Sequence, residues 1–379
     1  MKVRLFTIAA VLFPLWATAQ RLSVDINNWQ FSRDQQHWQQ VKVPHDWAIA
    51  GPFDKKWDLQ YVAIAQNGET EKTEKSGRSG ALPWIGRGYY RTHIDGTRLQ
   101  GKRVVLAFDG AMADPHVFVN GKEAGRWAYG YNAFRINITP FIKPGNNLIE
   151  VNLNNLEESS RWYPGGGIYR PVHLIATSPT AIDDWSVFCH TISANDKEAV
   201  LGVSAALTDS SNQKLTYTLK DCQGRTVASA EGTGQLSLRV ANPKLWSPDH
   251  PYLYTLTVAY NDGGRCRDAY SLKTGIRTLT IGKEGVRLNG RPLPIKGVCL
   301  HHDLGPLGAA VNKAAIIRQV NILKDMGANA IRTSHNMPSQ TQMQVYDSLG
   351  IVVMAESFDM WLYPKCQNGY ARLFKDWAD

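Results

Sequence analysis

Pro294-Ile295-Lys296-Gly297-Val298-Cys299-Leu300 runs straight into His301-His302-Asp303, and two later segments repeat its design. Ala328-Asn329-Ala330-Ile331 ends in Arg332-Thr333-Ser334-His335, and Ile351-Val352-Val353-Met354 leads to Glu356. Between them the spacing predicts two helices. Asn312 is a candidate cap for the first, with Ile316, Val320, Leu323 and Met326 at helical spacing and Gly327 as its stop. Ser339 and Gln342 form a capping box for the second, which Gly350 ends. Strand, helix, strand, helix, strand opens a parallel α/β architecture. Polar residues at the carboxyl ends of all three strands put a site on the rim where (β/α)₈ barrels hold theirs. A closed barrel takes ~250 residues, and 104 follow Gly275. The reading for residues 276–379 is therefore an incomplete barrel of three β/α units. Ile295, Val298, Ile331 and Val353 are expected as its interior, with at least one open parallel edge.

Upstream the pattern is that of β-sheet. Val104, Leu106 and Phe108 alternate, as do Val117 and Val119, and then Phe134, Ile136 and Ile138. Asn120-Gly121 lies between two such runs, a tight-hairpin signal because both residues tolerate positive φ. Pro144-Gly145-Asn146-Asn147 turns the chain into Leu148–Leu153. With no convincing period of 3.6, residues 20–177 read as a jelly-roll β-sandwich. Residues 178–275 read as a second sandwich with shorter strands, Leu215–Leu219 and Tyr252–Tyr260 among them. Its size and turn spacing are immunoglobulin-like, although the Cys–Trp–Cys framework is missing. An Asn289-Gly290 hairpin then precedes the barrel start. The predicted fold class is multidomain, β plus α/β.

Residues 1–19 read as a signal peptide. Lys2 and Arg4 form a basic start, Leu5 to Trp16 an apolar core, and Ala17-Thr18-Ala19 a small-residue cleavage site before Gln20. Export to the periplasm or the outside is expected, with no membrane association after cleavage, since no second apolar stretch of ~20 residues follows. The net charge is +9 and the pI near 9.2, yet no run of five like charges occurs, which speaks against nucleic acid. Cys189, Cys222, Cys266, Cys299 and Cys366 are scattered, odd in number and without CxxC. They form neither a disulfide scaffold nor a zinc or redox motif. The 12 Trp, 15 Tyr and 11 Phe favour β-rich domains and sugar-facing or protein-facing surfaces.

At the rim, Arg332, His335, Glu356, Asp359 and Trp361 offer the fixed donors, acceptors and aromatic face that a hydroxylated ring needs. Plainer readings stand beside this one: packing for Trp361, and a strand-end salt bridge with Glu356 for Arg332. A competing metal site would use His301, Asp303 and His335, because residues i and i+2 of a strand share a face. No further ligand is visible for it. Gly165–Gly167 reads as a tight turn, since no Gly-Lys-Ser/Thr follows. Glu356 and Asp359 are too close in sequence for a confident opposed pair of glycosidic carboxylates.

Asn329-Ala330-Ile331-Arg332-Thr333-Ser334-His335-Asn336-Met337-Pro338, continued by Asp347 to Met354, resembles the signature of glycoside hydrolase family 2. The stretch from Gly297 to Asn312, the Pro44-His45-Asp46-Trp47 box, the loop from Trp162 to Arg170 and Leu245-Trp246-Ser247-Pro248 match that family in the same order. The resemblance covers nearly all of residues 21–379, and Gly297 to Asp359 is most similar to exported bacterial β-galactosidases. β-Glucuronidases and β-mannosidases are the near alternatives.

This resemblance implies a sugar-binding jelly roll, an immunoglobulin-like domain and a catalytic barrel. It also implies retaining hydrolysis of terminal β-galactosides through a covalent glycosyl-enzyme. His301 and His335 would contact the sugar, and Arg332 would orient the nucleophilic glutamate. Glu356 and Asp359 would be substrate-site carboxylates, and Arg161 would reach in from the jelly roll. The acid/base and nucleophilic glutamates fall beyond Asp379, so no catalytic residue is assigned within the chain, which is expected to be inactive alone. The implied partners are a carbohydrate substrate and either the barrel remainder or further copies of the chain. No cofactor is implied, with room for a structural or activating metal ion in the complete enzyme. Ala355 stands where many relatives have Asp, and Met337 where many have Pro. The alternative is a non-catalytic exported carbohydrate-binding protein.

Overall fold

The computed structural model describes residues 21–54, 56–57, 60–63, 67–75, 83–84, 86–156 and 162–357. The amino-terminal sandwich packs two antiparallel sheets. One orders Leu22–Asp25, Val172–Thr177, Arg103–Phe108 and Phe134–Asn137. The other orders Gln39–Lys42, Asn28–Ser32, Arg87–Asp95, Asn146–Asn154, His116–Val119 and Lys122–Arg126. Alternation sends Leu106, Phe108, Phe134, Val117, Ile149 and Val151 into one core. There Phe108 and Phe134 stack at 4.7 Å. The Asn120-Gly121 hairpin forms as expected, with φ of 52° and 78°. Strand Arg103–Phe108 is also buried on its other face, where Val105 and Ala107 pack with Ile175. On that side the second domain approaches: Arg135 pairs with Asp183 and Asp184 and stacks on Trp185 at 4.0 Å.

In the second domain, a sheet of Ile182–Ala194, Glu198–Leu207 and Leu236–Ala241 faces one of Thr226–Gly232, Leu215–Lys220, Tyr254–Asp262 and Arg265–Thr274. Leu201, Val203, Tyr217, Leu219, Leu256 and Val258 fill the space between them. This is the expected immunoglobulin-like arrangement.

The barrel start consists of β1 (Gly297–Leu300), α1 (Lys313–Asp325), β2 (Ala330–Thr333), α2 (Gln340–Leu349) and β3 (Val352–Ala355). The strands are parallel, with Cys299 beside Arg332 and Arg332 beside Met354. The predicted caps are present. Asn312 accepts the Ala315 N–H at 3.1 Å, Ser339 and Gln342 form the reciprocal box, and Gly350 closes α2 at φ 77°.

One expectation is corrected. Val298, Ile331 and Val353 do not line a barrel interior but pack beneath the helices with Ile316, Val320, Leu323, Val345 and Tyr346. The period of two then leaves Cys299, Arg332 and Met354 on the opposite face, where Met354 is 67% exposed. Two amphipathic helices need a broad apolar surface to cover, and the β-branched side of the sheet supplies it. Of the four residues named, Ile295 alone is exposed, just before β1.

The Leu245-Trp246-Ser247-Pro248 segment docks the second domain on α2. The Trp246 indole donates to Asp347 O at 2.8 Å, and Lys324 Nζ donates to Pro248 O at 3.1 Å and Leu349 O at 2.5 Å. The fit is close: a Cβ on Gly350 would lie 2.2 Å from Pro248 O.

Candidate active site

Parallel pairing of β2 and β3 delivers Arg332, His335 and Glu356 to one rim. The Glu356 N–H donates to Thr333 Oγ1 at 3.1 Å, which fixes the start of the loop. Its carboxylate is held on both oxygens. The Arg332 guanidinium donates to Oε1, and His335 Nδ1 lies 2.9 Å from Oε2. Because a carboxylate accepts, Nδ1 carries the proton, and a neutral His335 presents Nε2 as an acceptor. Arg332 Nη1 also reaches Cys299 Sγ at 3.7 Å across the sheet. The strand-end salt bridge foreseen for Arg332 therefore forms, and it lies on the rim.

The jelly roll adds a wall. Trp162 lies 5.5 Å from the His301 ring and 5.4 Å from the His335 ring, and the two imidazoles meet edge-on at 5.5 Å and 84°. Trp162 is a site residue that the sequence reading does not single out; the one local signal for it is an indole three residues before the Gly165–Gly167 turn.

The loop behind Trp162 is fixed at several points. His302 Nε2–H donates to Pro164 O at 2.9 Å, since a carbonyl can only accept. Asn155 donates to Gly165 O at 2.8 Å. Asp46, 1% exposed, accepts from the Gly166 N–H at 3.0 Å, the Tyr163 hydroxyl at 2.5 Å, the Ala48 N–H at 2.9 Å and the Ala309 N–H at 2.8 Å. Burial pushes the Asp46 carboxyl up, and these four donors oppose the shift. Burial drives His302 down to about 3, so its ring is neutral. Gly167 has φ 112°, and a Cβ there would stand 2.3 Å from the Tyr90 hydroxyl, so the turn needs glycine.

Of the predicted site residues, the structure brings together His301, Arg332, His335 and Glu356. Arg161, Asp359 and Trp361 lie outside the described residues. Asp303 is exposed. Among the described residues no three His, Cys, Asp or Glu side chains gather as a metal site would require. The arrangement offers an aromatic wall, imidazole edges and a charge-balanced Arg–Glu–His cluster, which suits a polyhydroxylated ring.

Three family models match the chain in succession. The sugar binding domain of glycosyl hydrolases family 2 matches residues 14–178, the glycosyl hydrolases family 2 model residues 180–277, and that family's TIM barrel domain residues 279–364. A β-galactosidase of Bacteroides ovatus is 39% identical over 360 residues, covering 90% of this chain and 40% of its own length. A β-glucuronidase of Bacteroides fragilis is 30% identical, covering 91% of this chain and 51% of its own. A solved family 2 member from Bacteroides cellulosilyticus superposes with a TM-score of 0.83 at 32% identity, over 94% of this chain and 48% of that one. The chain thus spans between about two-fifths and half the length of these relatives. Matched domain by domain along its sequence and by a common fold, the chain belongs to glycoside hydrolase family 2.

Proposed function

We propose that this chain supplies the jelly-roll wall and the first part of the active-site rim of an exported glycosidase that removes terminal β-galactosides by retaining hydrolysis. The observation that carries the choice of sugar is the pairing of Arg332 with Glu356. A uronic acid is best recognised by an unpaired cation, whereas the charge of Arg332 is already answered. A neutral hexose meets the remaining donors and acceptors and can lie against Trp162. The higher identity to the B. ovatus β-galactosidase, 39% against 30% for the B. fragilis β-glucuronidase, supports the same choice.

Retaining chemistry uses two carboxyl groups ~5–5.5 Å apart, one as proton donor and one as nucleophile. Glu356 has both oxygens engaged and serves as an anchor. On this reading the reacting glutamates come from polypeptide beyond Asp379, and residues 20–379 alone do not turn over. Calorimetric titration of the chain with a galactose-configured iminosugar and its uronate analogue tests the specificity. Tighter binding of the galactose form is expected, and equal or tighter binding of the uronate overturns it. Hydrolysis of a chromogenic β-galactoside above a buffer blank would overturn the inactivity. For export, the mass of secreted protein should start at Gln20, and retained Met1 would refute cleavage after Ala19.

A further inference from the structure

Behind the rim, between the ends of β1 and β2 and helix α2, lies a cavity of about 10 Å³ lined by His302, Ser334, Asn336, Gln342 and Tyr346 among others. That is about the least space that can hold one water molecule. His302, Ser334 and Asn336 are 7%, 2% and 3% exposed. Each keeps one buried polar atom without a hydrogen-bond partner among the described residues: His302 Nδ1, Ser334 Oγ and Asn336 Nδ2. The Tyr346 hydroxyl, on the same cavity, is a fourth. Buried polar atoms are ordinarily satisfied, so this gathering points to a resident group.

The donor inventory says what that group is. His302 spends its only N–H on Pro164 O, so its Nδ1 is a bare lone pair that needs a donor. Asn336 Nδ2 is a donor that needs an acceptor, and the Ser334 hydroxyl can serve either way. An ammonium or metal ion cannot accept from the amide, and a halide cannot donate to the imidazole. We infer that the cavity binds a single water, which donates to His302 Nδ1, accepts from Asn336 Nδ2 and completes its shell at Ser334 Oγ.

The position gives this water a structural task at the site. His302 follows His301, and Ser334 and Asn336 flank His335, so the water ties the end of β1 to the end of β2 beneath the two rings that Trp162 covers. His302 in turn holds Pro164, two residues after Trp162. The water is a positioning element for the imidazoles and not a reactant.

A crystal structure of residues 20–379 at better than ~2 Å resolution should show one peak within ~2.6–3.2 Å of all three atoms, as ordered as its neighbours. An empty cavity overturns the inference, and so does a peak with anomalous signal from crystals soaked in rubidium chloride, which would mean a cation. Asn336→Leu removes the donor and fills the space. It should abolish the peak and lower the melting temperature by about 2–5 °C. An unchanged melting temperature would refute the positioning role, and if that variant does not fold the wild-type density still decides.

Discussion

Asp46 accepts the backbone N–H of Ala309, 263 residues downstream, at 2.8 Å. One buried carboxylate thereby joins the jelly roll, the Trp162 loop and the segment after β1. Arg170 makes a second tie. Its guanidinium donates to Asp109 O at 3.1 Å and Tyr131 O at 2.8 Å within the sandwich, and to Met337 O at 2.8 Å between β2 and α2. The wall and the rim of the candidate site are thus set by two polar ties, made by side chains outside the rim itself.

Replacing Asp46 by Ala should cost about 3–5 kcal/mol, because it strands several buried donors at once. Gly308→Ala attacks the same joint from the barrel side. Its φ is 58°, and a Cβ would lie 2.3 Å from Asp46 Oδ2 and 2.5 Å from Ile49. Urea melts of both variants should show large losses, with Trp162 displaced in each. A loss below about 1 kcal/mol for Asp46→Ala would mean that the joint is solvated and unimportant.

Much of this was legible in the sequence wherever local chemistry dictates geometry. The Asn120-Gly121 and Asn289-Gly290 hairpins, the Asn312 cap, the Ser339–Gln342 box and the Gly350 stop all form, because each needs only a few neighbouring residues. The facing of Val298, Ile331 and Val353 was not legible. A short run that is apolar throughout carries no period, and which side meets the helices is decided by packing. Trp162 escaped for a related reason. Its place depends on Asp46 and on His302, which bonds Pro164 from 138 residues away, and no local pattern reports such contacts.

One buried histidine, His302, and one half-buried histidine, His45, should set the acid limit of the fold. Burial lowers His302 to about 3, and burial followed by the nearby Arg33 charge lowers His45 to about 4. Unfolded histidine titrates near ~6.5, so below that pH the unfolded chain takes up protons that the folded chain refuses. Stability must then fall as pH drops from ~6.5 toward 4, by up to ~1.4 kcal/mol per pH unit for each histidine. His173 works in the opposite sense. Asp109, and then Asp25, raise its pKa, so its contribution is complete below ~6.5 and disappears as pH climbs through the folded value. Urea melts at pH 7, 6 and 5 should show the decline, and His302→Gln should remove nearly one proton from the slope. Constant stability across that range would show that these rings are reached by water.

The face of the parallel sheet that lies open among the described residues should declare itself chemically. Cys299 is exposed there, whereas Cys189 is partly buried and its thiol is pushed up by desolvation. An aromatic disulfide reagent should label Cys299 at least about tenfold faster than Cys189, as mapped by peptide mass. Parallel sheets are ordinarily covered on both faces, and open edges promote association. Residues 20–379 should therefore self-associate while residues 20–275 stay monomeric. Any polypeptide that supplies further barrel strands should protect Cys299 first. Equal labelling of the two thiols, or a monodisperse monomer of residues 20–379, would contradict this picture.

Glu356→Gln tests the choice of sugar most directly. Glutamine keeps the shape of the side chain and can still accept from the Arg332 guanidinium or from His335 Nδ1–H, but it removes the negative charge that answers Arg332. The rim then gains an unpaired cation where a neutral hexose has no use for one. A uronate-configured iminosugar should bind the variant severalfold tighter than it binds the parent chain. The galactose-configured compound should bind somewhat more weakly, because Arg332 and His335 lose part of their anchor. The side chain of Arg332 is 40% exposed, so solvent screens this attraction, and the uronate gain should shrink as salt rises from low to physiological strength. Titrations at two salt concentrations separate this outcome from general damage to the site, which would weaken both ligands without salt dependence. An unchanged ratio of the two affinities would mean that the Arg332–Glu356 pair does not select the substrate, and the proposed preference for a neutral sugar would lose its main support.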